Sequence, residues 1–306
     1  MKILTEHFIE TEKRLGISPE GIAAVEKCAR KVEECKSLNK KIEALINEYL
    51  YPEAHDFGKL FDKVKPLSII YGVKEYTLSF VVLVYAAEIM HNRYKEKGLP
   101  DELFWDTIMD LRYKFDECVD CKEVYGTFVP WWNTGFYALR RFCLGRYQYD
   151  MSTFDKDDFV TSAGITVKKG DKVLGFHIPS SGVPLTDEIR HDSFKKAYEF
   201  FKDYRREDGL MIFVCGSWLL YEGHREFLPE KSNILKFMDD FEIIESEEKD
   251  KFDDAWRVFA KYGYKSPKKW PEDNSLRRAF KQRVLSGGKT GHGFGVIVFD
   301  GEKIIK

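Results

Sequence analysis

The feature that most constrains this chain is a change of period near residue 140. Before it, apolar residues recur at helical spacing. In "SPEGIAAVEKCARKVEEC", Ser18 is placed as N-cap and Pro19 at the first helical position, with Ile22, Val25, Ala29 and Val32 on one face. "LNKKIEALINEYL" repeats the pattern through Ile42, Leu45, Ile46 and Leu50. "YTLSFVVLVYAAEIMHNRYKEKG" predicts a long helix ending at Gly98, and "PDELFWDTIMDLRYKFDEC" a following helix with Leu103, Phe104, Thr107, Ile108 and Leu111 on one side. "PWWNTGFYALRRF" predicts another, opening at Pro130. From Phe142 onward the pattern alternates. "RFCLGRYQYD" reads as a strand. "AGITVKKGDKVLGFHIP" reads as a hairpin with Lys169, Gly170 and Asp171 at its tip. A helix then runs through Phe194, Ala197, Tyr198 and Phe201. "GLMIFVCGSWLL" is apolar on both faces, as a central, doubly covered strand must be. "SNILKFMDDF" is a short helix capped by Ser232 or Asn233, "FEIIESEEK" a strand, "SLRRAFKQRVL" a helix capped by Ser275, and "GFGVIVFD" the last strand. The two periods need two packing layers of different kinds. The expectation is an α+β protein: a helical N-terminal domain, 1–140, followed by a mixed, mostly antiparallel sheet flanked by helices, 141–306.

A chain of 306 residues that is 43% hydrophobic can bury a core in each of two domains. Its net charge of −2 supplies no basic face, so no nucleic acid is expected as partner. The N-terminus carries no signal-peptide pattern. The most apolar stretch, Tyr76 to Met90, falls short of the roughly 20 residues that span a bilayer, so no membrane is expected either. Six cysteines do not form a disulfide framework, which suits the cytoplasm. Cys118 and Cys121 make a lone CxxC with no second ligand pair and no strand before it, so neither a metal nor a redox role is expected. The oligomeric state is not legible.

One stretch, "GFHIPSSGVPLTDEIRHDSFKKAYEFF" (175–201), runs from strand through a Ser/Gly/Pro turn into a helix. Such a turn presents backbone donors and a positive helix end to an anion. Ser180, Ser181 and Gly182 offer N–H and O–H groups, and Arg190, Lys195 and Lys196 offer positive charge. The same residues are also explained as a turn capped by Thr186 with acids in the first helical turn. Asp187 and Glu188 favour the helix dipole by about 0.3–1 kcal/mol each, and they repel a phosphate. A second candidate, "SGGKTGHGFG" (286–295), ends like a P-loop at Gly288, Lys289 and Thr290. The Gly required five residues earlier is Arg283, and a helix precedes the loop where one should follow. The expectation there is a flexible Gly-rich connection able to close over a ligand.

The strand and helix order of the second half, with "LGRYQY", "FHIP", "SFKKAYEFF", "GSWLL" and "SNILKFMDDF", resembles a bacterial acyltransferase-domain family. "FWDTIMDL" and "YGTFVPWW" are similar to its N-terminal half. That family joins a helical N-acyltransferase domain to a GNAT-like C-terminal domain. The resemblance implies an N-acyltransferase that takes an acyl group from acyl-coenzyme A and gives it to a small-molecule or peptide amine, with the N-terminal domain forming one wall of the acceptor site. It implies that Ser180, Ser181, Gly182 and Arg190 meet the cofactor's pyrophosphate. It implies His177 as general base, since imidazole titrates near neutrality. Tyr221 would protonate the leaving thiolate, and Ser217 would donate a hydrogen bond at the strand edge. Each has a packing alternative: His177 lodged beneath the turn, Tyr221 filling space. Cys215 is expected to be a buried core thiol. Two other readings stay open, a GNAT-shaped binding protein without catalysis and a nucleotide-binding enzyme using the Gly-rich segment.

Overall fold

The computed structural model describes residues Met1–Lys306 and divides into two compact units, Met1–Phe142 and Cys143–Lys306. The first unit is helical: α1 (Glu6–Leu15), α2 (Pro19–Glu34), α3 (Lys36–Leu50), α4 (Leu60–Ile70), α5 (Glu75–Glu96), α6 (Asp101–Ile108), α7 (Asp110–Lys122) and the single turn α8 (Thr134–Tyr137). Ser18 caps α2, its Oγ accepting the Gly21 N–H at 3.1 Å, with Pro19 at the first position. α5 is the apolar stretch of the sequence and is buried nearly all round, from Leu78 to Tyr94. No helix is long and apolar enough to cross a membrane. The structure departs from the expected single helix after Pro100, which is divided at Met109 into α6 and α7. The segment from Pro130 is a 3-10 turn, Pro130–Asn133, leading into α8, because the chain must swing at once into the first strand. Cys118 lies buried on α7, where burial pushes its thiol up to about 12.

β1 (Arg141–Leu144) runs across the division, and the second unit goes on with β2 (Tyr147–Thr153), β3 (Phe159–Val160), β4 (Thr166–Val167), β5 (Lys172–His177), α9 (Asp187–Phe200), β6 (Met211–Ser217), α10 (Asn233–Met238), β7 (Glu242–Lys249), α11 (Ala255–Phe259), α12 (Ser275–Leu285), β8 (Thr290–Phe299) and β9 (Ile304–Ile305). The main sheet has the order β1-β2-β5-β6-β8-β7, with β9 along β8. β2–β5, β6–β8 and β7–β8 are antiparallel, and β5–β6 is parallel. The apolar run expected to be central is central: β6 lies between β5 and β8, buried from Met211 to Cys215.

Three local expectations are corrected. Lys169–Asp171 does not close a hairpin between β4 and β5. β4 pairs with β3, while β5 pairs with β2 from Gln148↔His177 to Thr153↔Lys172. That register lines up the buried residues of both strands, and a period of two leaves little freedom to slip. Asn274, not Ser275, caps α12, its Oδ1 accepting the Arg277 N–H at 2.9 Å. The Gly-rich segment is no loose connection, since Thr290 onward belongs to β8.

Alternation sorts the sheet into two faces. One is aromatic: Tyr147 on β2, Phe176 on β5 and Phe213 on β6 pack with Phe194 of α9, Tyr149 of β2 packs on Phe213, and Tyr147 and Phe176 reach Phe237 of α10. The other is aliphatic: Val173, Ile212, Val214, Val296 and Val298 cluster with Phe154 and Val167. Residues of the same parity carry this second face on to Asp150, His177 and Gly216.

Candidate functional site

β5 and β6 are in register only at Leu174↔Phe213 and Gly175↔Val214. Beyond these pairs each strand follows its other neighbour. Phe176 and His177 pair with Tyr149 and Gln148 of β2. Cys215, Gly216 and Ser217 pair with Gly295, Phe294 and Gly293 of β8. The sheet therefore opens into a wedge at the C-terminal ends of two parallel strands, with main-chain edges facing each other across it.

Above the wedge, β5 runs into the turn 178–186 and then α9. Ser180, Gly182, Val183 and Pro184 of the turn are exposed. Gly182 has φ 75°, a left-handed conformation that glycine adopts without strain, and nothing lies within 4 Å of where its Cβ would be. Ser181 Oγ accepts the Val183 N–H at 3.4 Å, and Thr186 Oγ1 accepts the Ile189 N–H at 3.5 Å at the helix start. The bend is thus open to solvent, not filled by its own side chains, and it lies beside the N-terminus of a 14-residue helix. α9 is fixed to the sheet by Ser193, whose Oγ accepts the Tyr147 N–H at 3.1 Å and donates to the Leu144 carbonyl at 2.5 Å. Gly145, at φ 71°, turns β1 into β2 against Ser193, where a Cβ would come within 3.3 Å of the Ser193 Cα.

On the aliphatic face at the mouth of the wedge, His177 Nε2 lies 2.7 Å from Asp150 Oδ2. The carboxylate can only accept, so Nε2 carries the proton. Both side chains are partly buried, His177 34% and Asp150 24% exposed. A parted pair of parallel strands, an open turn at a helix N-terminus and a carboxylate-bound imidazole are thus brought together at the C-terminal end of β5. Two family models match, one described as a GNAT-like C-terminal domain over residues 142–297 and one as an N-acyltransferase N-terminal domain over residues 7–139. The chain belongs to the GNAT-like C-terminal domain family. An acyltransferase solved in complex with CoA and 10C-teicoplanin aligns at 19% identity over 95% of this chain and 87% of its own, with a TM-score of 0.71. One in complex with decanoyl-CoA aligns at 20% identity over 94% and 98%, TM-score 0.60. One with decanoyl-CoA and teicoplanin gives 19%, 94%, 98% and 0.61. At such identities the likeness is one of fold. Among curated proteins there is no match.

Within this GNAT-like frame the expected site residues separate. His177 and the turn Ser180–Gly182 lie together at the end of β5. Arg190 does not face the turn. It is 2% exposed, and its guanidinium donates to both oxygens of Asp240, at 2.6 and 3.1 Å, and to the Leu185 carbonyl at 2.7 Å. A further contact at 3.0 Å draws in Asp187, one of the two acids at the start of α9. Arg190 therefore clasps α9 to α10 and holds the turn from behind. Ser217 ends β6, but its Oγ accepts the Leu219 N–H at 3.1 Å and starts the 3-10 turn Trp218–Leu220. Tyr221 lies on the far side of β6 from β5. Its ring packs over Gly291 of β8, and its hydroxyl donates to Glu248 of β7 at 3.4 Å. Burial, and then the Glu248 charge, raise its ionisation above the ordinary phenol range. Cys215 points to the aromatic face, buried, with its thiol pushed up to about 12, as expected of a core thiol. No group of His, Cys, Asp or Glu is arranged to hold a metal.

Sequence reasoning missed Asp150, Arg146 and Gly216. Arg146 donates to the Pro179 carbonyl at 2.9 Å and anchors the start of the turn. Gly216 is exposed at the wedge. Asp150 is 27 positions from His177, and only the β2–β5 register brings them together.

Proposed function

We propose that this protein is an N-acyltransferase that moves an acyl group from acyl-coenzyme A to an amine. The observation that carries the reading is the wedge between β5 and β6 beneath an open turn. A pantetheine arm is an extended amide chain, and parted strand edges offer it main-chain partners. The turn Ser180–Gly182 offers amide and hydroxyl donors to the pyrophosphate, with the helix end of α9 adding positive potential. The solved neighbours that share the fold are acyltransferases holding CoA or decanoyl-CoA, and two also hold teicoplanin, which favours a small-molecule acceptor. All six cysteines are free, in keeping with a reducing cytoplasm.

In this reading the amine nitrogen attacks the thioester carbonyl carbon and forms the new C–N bond. His177 takes the proton that the nitrogen sheds. The tetrahedral intermediate collapses, the C–S bond breaks, and the thiolate leaves with the electron pair. The proton passes on to give CoA–SH and an amide. Positioned proton transfer of this kind contributes about 10²–10⁴-fold.

The test combines titration calorimetry with several acyl-CoA species and a thiol-release assay with a panel of amines. Binding heat with amine-dependent thiol release is expected. Heat without release in any combination would make the protein a binder, and no heat at all would reject the site. His177→Ala is expected to lower kcat by about 10²-fold or more. Full kcat in that variant from pH 6 to 9 removes the base.

A further inference from the structure

Asp150 has no local signal in the sequence, and its placement depends on the pairing of the sheet. β2 and β5 pair so that Asp150 stands directly opposite Gly175, and Gln148 opposite His177. Asp150 and His177 are thus diagonal neighbours on one face, a relation in which long side chains can meet. Gly175 puts no side chain between them, and a Cβ there would touch Asp150 Cβ at 3.8 Å. The carboxylate crosses that gap to Nε2 at 2.7 Å.

We propose that Asp150 is a positioning residue for the transfer reaction, holding His177 as the tautomer whose lone pair is on Nδ1 and stabilising the imidazolium formed when that atom takes the amine proton. The inference rests on the reading of His177 as base. A carboxylate that accepts from one ring nitrogen fixes which nitrogen is basic and opposes the charge that develops. Partial burial strengthens that opposition relative to water. The other charged groups of this face lie toward β8 and β7, beyond β6 from His177: Glu245, opposite Phe294 and paired with Lys156 at 2.8 Å, and Glu247, opposite His292. Gln148 faces His177 from β2 but is neutral. Cys215 and Ser217 project from the opposite face of β6. Arg146 is the nearby cation, and its guanidinium donates to the carbonyl of Pro179, two residues beyond the ring.

Steady-state thiol release by Asp150→Asn, Asp150→Glu and His177→Ala tests this. Asp150→Asn is expected to lower kcat by about 10²-fold, with the acyl-CoA KM within twofold. The acid limb of its kcat/KM profile is expected to move to lower pH, because losing a neighbouring carboxylate makes the imidazolium more acidic. Asp150→Glu is expected to recover part of kcat. Gly175→Val is the second variant if Asp150→Asn does not fold. Its methyls would stand between carboxylate and ring, lowering kcat without changing KM. An inactive His177→Ala beside Asp150→Asn or Gly175→Val with unchanged kcat and pH profile overturns the inference while leaving the base. A fully active His177→Ala overturns the base reading instead.

Discussion

The two flanks of β6 carry the same seven residues and behave in opposite ways. Toward β8 every residue is paired, from Met211↔Phe299 to Ser217↔Gly293. Toward β5 only Phe213 and Val214 are in register. The neighbours make the difference. β8 presents Gly291, Gly293 and Gly295 at alternate positions, and on that glycine stripe sit Tyr221, Leu220 and Phe241. The chain leaving β6 can therefore fold back over β8 and close that side. β5 instead stays with β2 until His177 and then turns away. One flank holds the sheet together and the other leaves a gap on a rigid frame, where binding groups are usually found.

The largest effect expected on the closed flank is pH-dependent. His224 is fully buried among Trp218, Tyr221, Phe227 and Phe280, and its Nε2–H donates to the Trp218 carbonyl at 2.8 Å. Burial pulls its ionisation from 6.5 down to about 4. Between those values the unfolded chain binds a proton that the folded one refuses. Stability from this group is thus complete above pH 6.5 and is lost as the pH falls toward 4, by about 3 kcal/mol in all. Urea unfolding at pH 7 and pH 4.5 should show a smaller fall in His224→Gln than in the parent. Equal falls would mean that His224 does not set the acid limit of this flank.

Next come two glycines that sharpen the contrast. A Cβ at Gly293 would land on the Leu220 main-chain carbonyl, which cannot rotate aside. Gly293→Val should cost about 2 kcal/mol, as overpacking does, seen as a lower urea midpoint. A Cβ at Gly216 would meet only His292 and Phe294 at 3.4 Å. Gly216→Val should fold almost normally, yet it places a side chain on the His177 face of the wedge. We expect the acyl-CoA KM to rise about tenfold, which is about 1.4 kcal/mol. If Gly293→Val is harmless, or if Gly216→Val lowers the urea midpoint as much as Gly293→Val and leaves the acyl-CoA KM unchanged, the two flanks do not differ in the way described.

Local chemistry was legible in the sequence and long-range pairing was not. Ser18 and Ser232 could be read as caps because a cap depends on residues two or three away. The central place of β6 followed from its unbroken apolar run. The hairpin at Lys169–Asp171 was misread because a turn signal says that the chain reverses, not which strand it rejoins. That choice was made by Tyr147–Thr153, some 20 residues earlier. Arg190 looked available for a phosphate because Asp240, its partner, is 50 positions away. The glycines of β8 looked like a flexible loop because nothing local says that Tyr221, Leu220 and Phe241 will cover them. His177 and the turn Ser180–Gly182 stand out in the sequence because strand, turn and helix are consecutive; Asp150 does not, because it arrives from another strand.

The smallest effect expected is also the one that most directly tests the division of β6. A tyrosine just after this strand looks like the acid that protonates the departing thiolate, and Tyr221 is that tyrosine. Its hydroxyl, however, lies across β8 at Glu248, 3.4 Å away, a long hydrogen bond to an exposed carboxylate. Tyr221→Phe keeps the ring that covers Gly291 and removes only that bond. Stability should change by less than about 0.5 kcal/mol, and kcat for thiol release should stay within twofold. A fall in kcat of tenfold or more, with loss of the alkaline limb of the pH profile, would put the hydroxyl back at the leaving sulfur. The chain after β6 would then have to reach around to the open side when substrate binds, and the closed flank would not be closed during turnover.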